Sequence, residues 1–223
     1  MMKMAGSSST SGTARFGHPR LFCDSVVFNK QDFVLIYAKA EISSVSQSSP
    51  EATCTLWDYA VEVYSRPGMP ELCLWFQDHC RVDVPIILFI SWCSVRGVLV
   101  ERQLLAQAEQ MVSAWHRDVV APLRGLRREL KRDSKGIVQE TVCAFREKLK
   151  ALELEAEHLE LNALATLSSD ETASAVPVSD QKRLIESGLV QYIGQLKCDI
   201  DAQTKEKIAA FITCLLAELT ASG

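Results

Sequence analysis

Residues 82–97 read VDVPIILFISWCSVRG and form the most apolar stretch of the chain. The apolar run that begins at Val84 is about a dozen residues long, whereas a helix that crosses a bilayer needs about 20. Asp83 precedes the run as an N-cap residue, Pro85 suits a first helical turn, and Gly97 stands where a helix would stop. The stretch therefore predicts a short helix that is buried on all sides in a globular core, and no membrane span.

The composition is ordinary for a globular protein. The chain has 223 residues, with 48% hydrophobic and 23% charged side chains and a formal net charge of -4. This balance gives no general reason to expect binding to nucleic acid or to an anionic membrane. The eight cysteines lie singly in apolar segments and form no CxxC pair, as buried free thiols do. We therefore expect a protein of the reducing cytoplasm.

The chain divides into three parts by composition. Residues 1–50 include a Ser/Gly-rich, basic start without the apolar region of a secretory signal, so we interpret them as a disordered or non-native extension. Residues 51–135 predict a Trp-rich helical core, and residues 136–223 predict a long helix followed by a helical hairpin packed on that core. The predicted fold is all-α, a bundle of about seven or eight helices with a disordered or irregular N-terminal extension.

The long predicted helix carries a heptad pattern. Apolar residues recur there at alternating spacings of four and three, which is the pattern of a coiled-coil seam. The seam consists of Val138, Val142, Phe145, Leu149, Leu152, Ala156, Leu159 and Ala163. Upstream of this helix, Pro122 predicts either a kink or the true start of a helix, because proline lacks the N–H that a helix interior uses.

The four tryptophans fall on four successive predicted helices. Trp57, Trp75 and Trp92 are candidates for the walls of a pocket that takes a flat or apolar ligand, and Trp115 lies on the following helix. The alternative is that these large side chains simply fill the core, which is their commoner role.

No complete catalytic or metal-binding motif is present. A glycine-rich phosphate loop and a nucleophile elbow are both absent. His79 beside Cys80 and His116 beside Asp118 are incomplete as zinc motifs, because such a site needs about four suitably spaced ligands. The sequence therefore predicts no catalytic residue, no metal site and no cofactor.

A basic segment is the strongest charge feature. Residues 117–135 contain seven Lys or Arg and three acids, whereas residues 153–171 contain six acids and no Lys or Arg. The basic segment could bind an acidic or phosphate-bearing partner, or it could face the acidic helix or solvent. Nucleic acid is not expected, because aromatic residues are not interleaved with the basic ones. The candidate anion-binding residues are Arg117, Arg124, Arg127, Arg128 and Lys131.

Four segments together resemble a family of small bacterial helical proteins known only as a domain of unknown function. They read LWDYAVEVYSRPG, CLWFQDHCRVDVPIILFISWC, AWHRDVVAPLRGLRREL and KALELEAEHLE, and they span about residues 56–165. The resemblance implies a helical fold and a bacterial cytoplasmic protein, but no activity. Arg81 and Pro85 stand where the family pattern has a glycine and an asparagine, so no role of that asparagine is carried over.

Polar residues in these segments are candidates for a functional cluster. Gln77 and Asp78 lead into Asp83 beside the buried helix, and Arg117 or Arg124 could act as counter-ions. With the Trp residues, these side chains give the ligand-pocket candidates Trp57, Trp75, Gln77, Asp78, Asp83 and Trp92.

Taken together, the sequence predicts a non-enzymatic cytoplasmic adaptor or regulator. It would bind a protein or anionic partner, or a second copy of the chain, through its helical surfaces. The alternative is an all-α enzyme or small-ligand carrier that uses the Trp-lined pocket. An exposed apolar stripe along 138–163 would favour a partner or dimer, and a sealed core would disfavour the pocket.

Overall fold

The computed structural model describes residues 55–168 and 176–217, so residues 1–54 and their predicted N-terminal extension lie outside the described part. The described residues form eight α-helices, one π-helical turn and no strand, which confirms the predicted all-α class. The elements are α1 (Leu56–Tyr64), α2 (Met69–Cys80), α3 (Val84–Val95), α4 (Arg102–Trp115), the π turn (His116–Val120), α5 (Ala121–Arg132), α6 (Gln139–Ala165), α7 (Val178–Gln195) and α8 (Ala202–Leu216).

Helix α3 lies at the centre of the molecule. All of its residues from Val84 to Ser94 are buried, and it packs against α1, α6 and α7. Each fully buried large apolar side chain contributes about 1.5–3 kcal/mol to folding. The two polar side chains of α3, Ser91 and Ser94, donate hydrogen bonds to carbonyl oxygens one turn earlier, so their burial leaves no hydroxyl unpaired. The prediction of a helix buried on all sides is confirmed.

Local signals account for several helix ends. Thr55 and Asp58 form a capping box at the start of α1, in which each side chain accepts a hydrogen bond from the backbone N–H of the other residue. Helix α2 ends at Arg81, which has a positive φ of 56°. Glycine adopts this left-handed conformation without strain, whereas an arginine side chain makes it less favourable.

The core contains helices from residues 51–135 and from residues 136–223. Helix α6 packs against α1, α3, α4 and α5, and α8 packs against α2 and α7. The division of the chain into three parts, with a C-terminal hairpin, stays a prediction. No helix in the described residues is both long enough and apolar enough to cross a membrane.

One expectation about cysteines is wrong. Cys80 at the end of α2 and Cys198 after α7 form a disulfide, with Cα atoms 5.2 Å apart. The two residues are 118 positions apart, so spacing along the chain could not indicate that helix packing brings them together. Cys73 and Cys93 are buried free thiols, as expected.

Candidate functional site

A π-helical turn connects α4 to α5. Pro122 lies in the first turn of α5 and has no N–H to donate to the Asp118 carbonyl oxygen. In a regular α-helix its ring would also clash with that carbonyl group. The backbone N–H of Ala121 instead reaches back five residues to His116. Such turns are frequent at functional sites. An interruption near Pro122 is therefore present, and it begins at His116.

His116 meets two carboxylates from other elements. Its Nδ1 lies 3.1 Å from Asp83 Oδ2 and 3.3 Å from Glu160 Oε1. Asp83 comes from the start of α3 and Glu160 from α6, and one ligand-type atom from each residue lies within 4.8 Å of the other two. We call Asp83, His116 and Glu160 the carboxylate–histidine cluster.

The cluster is shielded from solvent. The side chain of Glu160 is 0% exposed, that of Asp83 is 9% exposed and that of His116 is 21% exposed. Asp83 occupies the N-cap position of α3, but its carboxylate accepts no capping hydrogen bond from the helix. Its backbone N–H donates to the Tyr192 hydroxyl at 3.1 Å. The Asp83 carboxylate therefore does not cap α3, and its Oδ2 lies beside His116 Nδ1.

The cluster leaves buried polar atoms without hydrogen bonds. Asp83 Oδ1, His116 Nδ1 and both carboxylate oxygens of Glu160 have no partner in hydrogen-bond geometry. The contacts of His116 are therefore short without the alignment that an N–H···O bond requires. Each buried polar group without a hydrogen bond lowers the stability of the fold by about 1–3 kcal/mol. A further partner for these atoms would remove that loss.

Burial and neighbouring charges shift the pKa values of His116 and Glu160 in opposite directions. Burial alone would lower the pKa of His116, but the carboxylates of Asp83 and Glu160 raise that pKa to about 10. Burial raises the pKa of Glu160 to about 7, although His116 beside it acts to lower that value. At neutral pH His116 is therefore positively charged and offsets negative charge in the cluster, while Glu160 is close to its pKa.

An apolar pocket adjoins the cluster. It has a volume of about 250 Å³ and is lined by Met111, Val112, Trp115, Leu159, Glu160 and Ala163. Trp115 is 39% exposed, and its indole N–H donates to the Ala156 carbonyl oxygen at 3.1 Å. Glu160 is thus shared between the cluster and the pocket wall.

In the described part of the chain, the three candidate tryptophans have different surroundings. Trp57 contacts His158, with ring centroids 4.0 Å apart, and Trp75 stacks on His79. Trp92 is buried beneath the guanidinium of Arg96. The cavity beside Trp57 has a volume of about 30 Å³, which is room for one or two water molecules. This geometry favours the core-filling alternative for Trp92 and gives the Trp57 cavity no room for a ligand.

Gln77, Asp78 and Asp83, which were predicted to form one polar cluster, lie in two separate environments. Gln77 and Asp78 accept hydrogen bonds from Arg128 at the surface, at 3.2 Å and 3.0 Å. Asp83 instead joins His116. The counter-ions suggested from sequence, Arg117 and Arg124, contact other acids.

Two of the candidate anion-binding residues, Arg124 and Arg127, form ion pairs within the protein. Arg124 donates to Glu153 at 2.9 Å and also to Glu157, and Arg127 donates to Glu153 as well. Glu153 is 1% exposed. These contacts correspond to the alternative in which the basic segment faces the acidic helix. Among the other candidates, Arg117 pairs with its neighbour Asp118 at the surface, and Lys131 is exposed.

The predicted heptad seam splits into a buried row and an exposed row. Val142, Leu149 and Ala156 are each 5% exposed and face the core. The other row recurs every seven residues and faces outward, with exposed fractions of 65% for Val138, 49% for Phe145, 51% for Leu152 and 52% for Leu159. We call this row the α6 stripe. It is the exposed apolar stripe that would favour a partner or dimer.

The sequence does not predict the carboxylate–histidine cluster. His116 stands beside Asp118 in an incomplete zinc motif, and Glu160 is one of several acids of a predicted helix. One signal was present: Glu160 lies one turn from Ala156 and one turn from Leu164, both in the buried register of α6. A carboxylate in such a register needs a buried partner.

The fold and site define an all-α protein with a buried carboxylate–histidine cluster and an exposed apolar helix face. Residues 55–164 match the model of the family described as "Protein of unknown function (DUF2390)". This match confirms the family resemblance inferred from the sequence motifs, and it includes all three cluster residues. No curated protein and no solved structure matches the chain.

Proposed function

We propose that the protein is a non-enzymatic helical adaptor or regulator that acts as a pair of chains joined through the α6 stripe. The observation that carries this proposal is the row of Phe145, Leu152 and Leu159, each about half exposed on one face of a long helix. Single exposed apolar residues are normal on a protein surface, but an aligned row is typical of an interaction face.

The charges beside the stripe favour a second copy of the chain as the occupant. Lys148 and Glu155 are exposed and lie on the same flank of the stripe, on either side of Leu152. When two α6 helices pair antiparallel about Leu152, Phe145 meets Leu159 of the other copy and Lys148 comes beside its Glu155. The same patch is then complementary to itself, as a two-fold interface requires.

The other flank of the stripe supports the antiparallel arrangement. Arg146, Glu153 and Glu160 occupy that flank and are buried within the protein's own fold. They are therefore not accessible to a second chain, whereas parallel coiled-coil dimers use charges from both flanks. An antiparallel pair needs only the Lys148–Glu155 flank.

An apolar partner surface is better supported than an anionic one. Arg124 and Arg127 already contact buried glutamates, and Arg128 contacts Asp78. An anion at these side chains would have to displace existing ion pairs, whereas the α6 stripe is open.

Charge exchange across the interface tests the proposal. Lys148→Glu should abolish dimers by placing acids opposite each other, and Glu155→Lys should do the same with bases. Mixing the two variants should restore a heterodimer, because each acid then meets a base. Light scattering after size exclusion, with native mass spectrometry, measures the outcome.

Leu152→Arg should also give a monomer, and Leu99→Arg serves as its control, since Leu99 is 45% exposed and lies in the loop between α3 and α4. A wild-type protein that stays monomeric at high micromolar concentration would contradict the proposal. So would a dimer that is indifferent to Leu152→Arg.

We place this function in the bacterial cytoplasm, on the basis of the buried thiols Cys73 and Cys93 and the family resemblance. The disulfide between Cys80 and Cys198 counts against a fully reducing environment. The compartment therefore stays a prediction, and the redox state of this pair in cells measures it.

A further inference from the structure

The carboxylate–histidine cluster has the spacing of a metal coordination shell. With metal–ligand distances of about 2.1 Å, neighbouring ligand atoms lie about 3.0 Å apart in an octahedral site and about 3.4 Å apart in a tetrahedral one. The two distances from His116 Nδ1 to the carboxylate oxygens of Asp83 and Glu160 are 3.1 Å and 3.3 Å.

A proton explains these contacts less well than a metal ion. A protonated Nδ1 directs its single N–H along one line, so it serves one carboxylate at a time. Neither contact has hydrogen-bond alignment, and Asp83 Oδ1 and both oxygens of Glu160 also have no hydrogen-bond partner. A cation placed between the three side chains would contact an atom of each at once.

Charge balance is compatible with a metal ion. When both carboxylates are ionised they carry two negative charges, and a net buried charge is costly. A divalent cation with a neutral His116 makes the cluster neutral. Imidazole and carboxylate together suit zinc and other first-row transition metals, whereas calcium and magnesium prefer oxygen ligands alone.

We propose that Asp83, His116 and Glu160 bind one divalent transition-metal ion, of the class of zinc, cobalt or manganese. The ion would join α3, the π turn and α6. Three protein ligands leave at least one coordination position, and the adjoining pocket at Trp115 and Glu160 gives space for a water molecule or a small anionic ligand. The three proposed ligands lie outside the α6 stripe, although Leu159 of the stripe lines the adjoining pocket. The proposal revises the sequence-based expectation of no metal.

Metal titration of the full-length chain tests the site. The protein is treated with a chelator, dialysed and titrated with Co²⁺, whose visible absorption reports coordination, and with Zn²⁺ by calorimetry. We expect one ion per chain and a higher melting temperature with metal, since a ligand that binds only the folded state stabilises it.

Near-isosteric variants assign the ligands. His116→Gln, Asp83→Asn and Glu160→Gln should each weaken Co²⁺ and Zn²⁺ binding on the order of 100-fold or more, above the loss typical of residues that only support a ligand. His79→Gln and His158→Gln are matched controls outside the cluster, and they should bind as the wild type does. Circular dichroism verifies that each variant is folded.

A measurement on the wild type keeps the test decisive if a variant fails to fold. In the NMR spectrum of protein with ¹⁵N-labelled histidine, Zn²⁺ should shift the Nδ1 of one histidine to the metal-bound range. The proposal is overturned if no stoichiometric binding occurs or if no histidine Nδ1 shifts. It is equally overturned if the three cluster variants bind as well as the controls.

Discussion

At the scale of single residues, Glu153 is a charge that the fold has to neutralise internally. It is 1% exposed and accepts hydrogen bonds from both Arg124 and Arg127, which anchors α5 to α6. Removing one partner of a buried ion pair lowers stability by much more than the whole pair contributes to it. The reason is that the other charge then stays buried without compensation.

Glu153→Gln should therefore lower the free energy of unfolding by about 3 kcal/mol. Asp78→Asn is the matched control, because it removes an ion pair with Arg128 in which both side chains are about half exposed. The control should change stability by less than about 1 kcal/mol. Urea denaturation followed by circular dichroism measures both, and equal losses would contradict the assignment of Glu153 as the critical charge.

Asp83 illustrates what sequence could and could not predict at this scale. The sequence placed it correctly at the start of a buried helix, because N-cap preferences are local. The direction of its carboxylate depends on His116 and Glu160, which arrive from distant parts of the chain. Neither the pattern around Asp83 nor that around His116 contains this information, so the cluster emerged only from the fold.

At the scale of helices, α3 and α7 approach each other closely at Gly188. A Cβ atom at this position would lie 2.6 Å from Cγ2 of Ile90, which is itself fully buried. Isoleucine is stiff at its first side-chain torsion, so it cannot turn aside easily. The absence of a side chain at Gly188 therefore permits the contact between these two helices.

Gly188→Ala should destabilise the protein by about 1–2 kcal/mol through overpacking. Gly194→Ala lies on the same helix with nothing within 4 Å of its added Cβ atom, so it should stabilise by about 0.5–1 kcal/mol through helix propensity. Thermal unfolding distinguishes the two. A stabilised Gly188→Ala variant would mean that α3 and α7 are not so tightly packed in solution.

The helices themselves were largely predictable. Apolar periodicity predicts helices in residues 51–135, and the uniform apolar composition of α3 predicts its burial. The π turn was not predicted, because Pro122 alone is compatible with a kink, a new helix or a widened turn. Which of these forms depends on how α4 and α5 pack against α6.

At the scale of the whole molecule, the disulfide joins parts of the chain that lie far apart in sequence. Cys80 ends α2 inside the family-matched segment, and Cys198 follows α7 outside it. A cross-link that closes so long a loop restricts the unfolded chain strongly.

Reducing this disulfide should lower the free energy of unfolding by about 2–5 kcal/mol. The measurement is urea denaturation of the wild type with and without reductant. The double variant Cys80→Ala/Cys198→Ala is the control, and reductant should leave its stability unchanged. A wild type whose stability does not respond to reductant would mean that the two thiols are not joined in solution.

The burial of α3 has a consequence for the way the protein is made. A ribosome completes α3 well before it completes α7, which covers α3 beside Ile90. During that interval the nascent chain carries a strongly apolar helix that has no polar face to turn toward water. Synthesis of this protein therefore includes a period of exposure to aggregation, in which a chaperone that shields α3 until α7 emerges would raise the yield of folded chains.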